Sequence, residues 1–338
     1  MKKQILLATV IALTAIGVFA QTTRQKIRDK VRTARENRAE DKGNAVTNNG
    51  SYVVGKNRFT TVVNGDTREY YVHVPKSYNK ATPTPVVFML HGTSGDGLKF
   101  YNISGWKEVG EAENILTVYP SSWRHCIIDE GVRKNTTKWN IYPGSFEYCS
   151  GEAPKDDIKF LHQVIDALCG KFNVNQKMIY MVGFSNGGQM TARVGIEMSD
   201  RVAAVVSSAG LLKAGESYTP KRLLPNLVQV GTHDDRFTKA FGGSPAPMNF
   251  DQLFAQAPYV KAMLRSYQQT YKLETRYTTG GDPNKIIWLD AKGTSGDLNN
   301  VFRFALIKNM KHVYPNGTNF PLEGAEMNWQ WLKQYKLP

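Results

Sequence analysis

From Ser51 onward, apolar and polar positions follow two rhythms. Tyr52 to Val63 and Thr67 to Val74 alternate on either side of Asn64-Gly65-Asp66, which predicts an antiparallel β-hairpin. Pro85 to Leu90 is an unbroken apolar run, as expected of a strand covered on both faces, and Leu116 to Tyr119 and Met178 to Val182 repeat it. Val202–Val206, Leu224–Val230, Ile286–Leu289 and Phe302–Leu306 continue the series. Between these runs the spacing becomes helical over Trp106–Asn114, Asp156–Phe172, Gln189–Met198, Phe250–Tyr271 and Glu323–Gln334. Strands alternating with helices predict an α/β fold: a mostly parallel sheet with helices on both faces and the hairpin at its N-terminal side. No internal repeat is visible, so residues 51–338 read as one domain.

The preceding fifty residues have a different texture. Lys2 and Lys3 open onto the uncharged run Ile5–Ala20, with Val18 and Ala20 at the −3 and −1 positions before Gln21. This is the pattern of a secretory signal peptide, and it is shorter than a spanning helix needs. Residues 21–50 are charged and almost free of large apolar side chains, which predicts a solvated linker. These features change the meaning of the net charge. Of the chain's +14, the first twenty residues hold +2 and the linker +4, leaving +8 for the remainder. With no nucleic-acid motif in view, a nucleic-acid partner is not expected.

Export permits disulfides. Cys126 and Cys149 flank a polar, aromatic-rich segment where a bridge would contribute about 3 kcal/mol in the loop-entropy model. Three free thiols remain the alternative. Cys169 lies in the apolar stripe Phe160, Leu161, Val164, Leu168 and reads as a small buried thiol. No cysteine or histidine spacing suits zinc, so no metal is expected.

The third buried run enters Gly183-Phe184-Ser185-Asn186-Gly187-Gly188 and then a helical pattern. This is G-x-S-x-G at a strand-to-helix junction, where a strained turn projects a serine hydroxyl and the helix start aims free N–H groups at it. Serine needs a base. Only His233 and His312 follow Ser185, and His233 adjoins the acid candidates too closely, so His312 is the expected base. The acid is expected just past the strand Leu224–Val230, in Gly231-Thr232-His233-Asp234-Asp235, with Asp234 first and Asp235 as the alternative. Leu90-His91-Gly92-Thr93-Ser94-Gly95 follows the first buried strand, where an oxyanion loop belongs. The backbone N–H groups of Thr93 and Asn186 are the expected donors. No cofactor is needed for such chemistry.

With these residues in place, the sequence resembles the secreted α/β-hydrolases grouped as feruloyl esterases, acetylxylan esterases and polyhydroxybutyrate-depolymerase-like enzymes, the carbohydrate esterase family 1 type. The likeness runs from about Gly65 to Trp331. Leu90-His91-Gly92, Gly105-Trp106, Val118-Tyr119-Pro120, Asp156-Asp157-Ile158-Lys159-Phe160 and above all Tyr180–Gly188 carry it. Gly231-Thr232-His233-Asp234 matches the family's Gly-Thr-x-Asp, which supports Asp234. Lys311-His312-Val313-Tyr314-Pro315 matches Gly-His-x-Trp-Pro only loosely, placing Tyr314 where a substrate wall is expected. Trp139-Asn140 matches a family Trp-Asn/Asp pair in the long segment between Pro120 and Asp156, which makes Trp139 the candidate beside the acyl pocket. The resemblance implies a plant-cell-wall feruloyl or acetyl ester as substrate. A polyhydroxyalkanoate or other polyester is the alternative, and a non-catalytic carbohydrate-binding protein is the reading from another class.

Overall fold

A computed structural model describes residues 51–338. The expected signal peptide and linker lie outside the described residues. The hairpin forms as β1 (Gly55–Val63) and β2 (Asp66–Val74), paired from Gly55↔Val74 to Val63↔Asp66. Next come β3 (Thr84–Leu90), α1 (Gly97–Ile103), α2 (Trp106–Glu113) and β4 (Leu116–Pro120). The long polar segment between Pro120 and Asp156, where the sequence pattern predicts no strand, folds into a small antiparallel sheet of β5 (Trp123–Asp129), β6 (Val132–Lys138) and β7 (Glu147–Tyr148), in the order β6-β5-β7. Its tight turn uses Glu130 and Gly131, both at positive φ (53° and 74°), as a two-residue hairpin turn requires. Cys126 and Cys149 are bonded to each other and tie β5 to the chain just past β7, while Cys169 is free and half-buried.

The chain returns through α3 (Asp157–Lys171), β8 (Val174–Phe184), α4 (Asn186–Glu197), β9 (Ala204–Ser208), β10 (Asn226–Gly231) and the single turn α5 (Asp235–Thr238). It closes with α6 (Phe250–Gln256), α7 (Pro258–Tyr271), β11 (Thr278–Asp282), β12 (Ile286–Lys292), β13 (Val301–Ile307) and α8 (Gly324–Leu332). The helical pattern Phe250–Tyr271 is thus two helices. Pro258 disfavours helical backbone at Ala257, which sits at φ −131°, and then opens α7 as its first residue.

Ten strands form the main sheet, in the order β1-β2-β4-β3-β8-β9-β10-β13-β12-β11. The centre, from β4 to β13, is parallel, and the two outer pairs on each side run antiparallel. The apolar runs follow from burial on both faces. Val86, Phe88 and Leu90 of β3 pack with Phe160, Leu161 and Val164 of α3 and Met190 of α4. Val87 and Met89 turn to the other face, against Trp106 and Val109 of α2 and Trp329 of α8. Helix starts are capped as their sequences suggest: Asp96 accepts from the Lys99 N–H at 2.7 Å and Asp156 from that of Lys159 at 2.9 Å. Ser185 lies at the C-terminal end of central β8, with the loops after β3, β10 and β13 at the same strand ends.

Candidate active site

Ser185 caps α4 at φ 55°, ψ −120°, an unfavourable backbone for a residue with a Cβ. The turn closes because its flanks are glycines: a Cβ on Gly183 would overlap the Gly187 carbonyl, and one on Gly187 would overlap those of Leu90 and His91. The Ser185 N–H is held by the Ser208 carbonyl at 2.8 Å. Its hydroxyl therefore faces the cleft while the backbone beneath it is packed tight.

His312 arrives on the loop after β13, and that loop is braced against the one after β10. The N–H of Thr232 donates to Ile307 and that of His233 to Met310, each at 3.0 Å, while the Asn309 N–H donates to the Thr232 hydroxyl at 2.9 Å. So braced, His312 Nε2 lies 2.9 Å from Ser185 Oγ, and Nδ1 lies 2.8 Å from Asp234 Oδ2. The Asp234 carboxylate is buried, and its other oxygen accepts the N–H groups of Arg236 and Phe237 at 2.9 and 3.4 Å. Asp235 points to solvent beside Arg236, and His233 is exposed. Of the acid candidates, the structure brings Asp234 to the histidine.

The loop expected to carry the Thr93 oxyanion donor is fixed by His91. The Ser122 N–H donates to His91 Nε2 at 2.9 Å, so the ring proton sits on Nδ1 and is donated to the Gly92 carbonyl at 2.7 Å. The Gly95 N–H donates to the same carbonyl. Strand β6 adds an outer brace, with the Ser94 N–H donating to the Thr137 carbonyl at 3.1 Å and the Ser94 and Thr136 hydroxyls 2.8 Å apart. Burial, partly offset by the accepting Gly92 carbonyl, pushes the His91 imidazole down from 6.5 to about 4. Between those pH values the unfolded chain binds a proton that the folded chain does not, so stability falls as pH drops through this window. The loss from this group is about 3 kcal/mol. Urea midpoints compared at pH 7 and pH 4.5 are expected to drop more in the wild type than in His91→Gln. Equal drops would refute the assignment.

The two substrate-binding candidates, Trp139 beside the acyl pocket and Tyr314 at the wall, are both buried. Trp139 is fully buried, and its indole N–H donates to the His91 carbonyl at 2.9 Å. Its backbone N–H donates to Asn186 Oδ1 at 2.7 Å, and Asn186 Nδ2 returns a bond to the Trp139 carbonyl at 3.3 Å. A ring so enclosed cannot stack on a substrate; it clamps the chain just past β3 to the start of α4. Tyr314 is buried as well, its hydroxyl accepting from Trp106 Nε1 and Asn328 Nδ2, and burial pushes its pKa far up. The ring between it and the cleft is Phe184, which packs 4.9 Å from the His312 ring.

The cleft over Ser185 and His312 measures about 650 Å³ and is walled by Gly92–Ser94, Phe184, Arg236 and the β5–β6 hairpin. A second cavity of about 450 Å³ borders Asp234 and is lined mainly by apolar side chains, among them Tyr142, Phe146, Leu211, Phe237 and Met263. Arg236 lines both. Sequence reading missed Phe184, Arg236 and Lys138, although each is a chain neighbour or near neighbour of a residue it singled out. Asp234, Asp235 and His312 have ligand atoms close enough to hold a metal ion, but two of the three already form the Ser185 relay.

The sequence profile of the family described as "Putative esterase" matches residues 62–321. Over 230 residues the chain is 24% identical to the bifunctional acetylxylan esterase/xylanase XynS20E of Neocallimastix patriciarum, covering 66% of this chain and 28% of that protein. It is 24% identical over 203 residues to feruloyl esterase D of Neurospora crassa, covering 55% and 64%. It thus spans less than two thirds of either relative's length. An S-formylglutathione hydrolase from Agrobacterium tumefaciens superposes with a TM-score of 0.53 at 12% identity, over 84% of this chain and 97% of the other, which speaks to the α/β-hydrolase fold alone. Because that profile covers far more than half of this chain, the chain belongs to this esterase family.

Proposed function

We propose that the protein is a serine carboxylic-ester hydrolase working by two-step acyl transfer. The observation that carries this reading is the continuous relay from Ser185 Oγ through His312 to buried Asp234, with links of 2.9 and 2.8 Å. Ser185 Oγ attacks the ester carbonyl as His312 Nε2 takes its proton. Asp234 holds Nδ1–H and stabilises the imidazolium, which then protonates the departing alcohol. Water, deprotonated by the same nitrogen, releases the acid from the acyl-enzyme. Negative charge on the carbonyl oxygen is met by two N–H groups. That of Asn186 lies in the first turn of α4 and has no intrahelical partner. That of Thr93 leaves the opposite edge of the planar peptide whose carbonyl is turned onto His91 and Gly95.

The substrate class proposed is a feruloyl or acetyl ester of plant-cell-wall polysaccharide. The acetylxylan and feruloyl esterase relatives support it, as does the apolar cavity beside Asp234, which suits an aryl or short acyl group. We place the protein outside the cytoplasm after loss of residues 1–20, on the leader pattern and the Cys126–Cys149 bond. Among the described residues no helix is long and apolar enough to cross a membrane. An alkyl fluorophosphonate tests the chemistry: one equivalent is expected to attach to Ser185, located by peptide mass spectrometry, and to abolish hydrolysis of 4-nitrophenyl acetate. Full activity after labelling, or a label elsewhere, would overturn it.

A further inference from the structure

The cleft that Ser185 and His312 line carries a cationic set of side chains. Lys134 and Lys138 reach it from β6 and Arg236 from α5, with Asp129 as the acid among the lining residues. Asp129 is engaged by Lys134 at 3.0 Å, in an exposed pair. Among the described residues, Arg236 forms an ion pair only with solvent-facing Asp235, at 3.6 Å, outside the cleft lining. Lys138 is half-buried, and among the described residues no carboxylate pairs with it. Its ammonium sits 3.9 Å over the Phe146 ring, at the seam between the polar cleft and the apolar cavity that Phe146 lines.

We propose that Lys138, assisted by Arg236, forms a carboxylate-binding subsite in the cleft, and that the preferred ester carries a carboxylate elsewhere in the same molecule. The proposal rests on the esterase reading of Ser185, His312 and Asp234. A half-buried ammonium with no carboxylate in ion-pair contact is incompletely compensated for lost water, and an arriving carboxylate would reduce that cost. Burial lowers the Lys138 pKa; Asp129 opposes the shift, while Arg236 and Lys134 add to it. Lys134, Lys138, Arg236 and Asp129 all line this one cleft rather than separate surfaces. The Phe146 ring faces the ammonium itself and attracts it without bringing a net negative charge. Because Ser185 and His312 line the same 650 Å³ space, a bound carboxylate and the scissile ester belong to one molecule. The carboxylate can sit in the alcohol portion, as a uronate unit of a polysaccharide would place it, or in the acyl portion, as in a dicarboxylic half-ester.

Two matched pairs separate these sources. The pair 4-acetoxybenzoate and 4-acetoxybenzamide places the charge in the alcohol portion; monoethyl adipate and its neutral half-amide place it in the acyl portion. The quantity read is the ratio of kcat/KM for the anionic member to that for the neutral one, which cancels any general loss of activity in a variant. In at least one pair, Lys138→Met is expected to lower this ratio about tenfold, Lys138→Arg to restore most of it, and Arg236→Gln to lower it in the same direction. In the wild type the ratio is expected to fall as sodium chloride rises to about 0.5 M, since screening weakens the attraction. Should Lys138→Met fail to fold, the wild-type salt series and Arg236→Gln decide the matter. Ratios unmoved by substitution and by salt, with the neutral esters still turned over, overturn the subsite and leave the esterase reading intact. A wild type that hydrolyses none of the four esters overturns both.

Discussion

Ser185→Ala is expected to lower kcat on 4-nitrophenyl acetate by about 10⁴- to 10⁶-fold while moving KM only a few-fold. The split follows from where the hydroxyl acts. It forms a bond only on the way to the transition state, whereas the cleft walls that hold the ground state, Phe184 and the β5–β6 hairpin, keep their positions. Stability should change little. The +55° φ is already imposed on a residue with a Cβ, alanine adds no atoms, and the Ser208 carbonyl still receives the backbone N–H. Residual turnover would come from the Thr93 and Asn186 N–H groups acting on a water-attacked ester. A variant within tenfold of wild type in kcat, with an unchanged melting curve, would remove Ser185 from the role.

How far the sequence could lead to this geometry depended on which signals are local. Gly183, Ser185 and Gly187 encode a tight turn within five residues, and the strand before it is apolar on both faces, so pattern and chemistry agree at one place. His312 was reachable because chain order leaves few histidines after the serine. The walls were not reachable in the same way. Strand β6 reads Val132-Arg-Lys-Asn-Thr-Thr-Lys138, polar on both faces, so no period-two signal marks it and its segment looked like a loop. Trp139 and Tyr314 stand where wall residues would be sought, but a sequence does not say whether a ring faces a cavity or the core. The structure turns both inward, where their polar atoms find protein partners, and leaves Phe184, Lys138 and Arg236 to line the cleft. The break at Ala257-Pro258 was written in the chain, yet the helical apolar spacing runs on through it because α6 and α7 bury the same side against one core.

The choice between neighbouring aspartates gives the second large effect. Asp234→Asn is expected to lower kcat by about 10⁴-fold, and Asp235→Asn by less than about twofold. The argument comes from the fixed partners of Asp234. One carboxylate oxygen accepts two backbone N–H groups, from Arg236 and Phe237, so an asparagine must keep its oxygen there and turn its NH₂ toward His312 Nδ1. A donor facing Nδ1 forces the ring proton onto Nε2, the nitrogen that has to accept from Ser185, and the base is blocked without being displaced. The same retained cap keeps α5 in place, so the melting temperature should hold. Asp234→Ala loses that cap, at a cost of about 1 kcal/mol, but it leaves the tautomer free, so its kcat should exceed that of the asparagine variant despite the lower stability. Asp235 carries its carboxylate in solvent, 3.6 Å from an equally exposed Arg236, and such pairs contribute little. Measured kcat values in the reverse order, with Asp235→Asn crippled and Asp234→Asn active, would move the acid by one residue and break the relay on which the hydrolase reading depends.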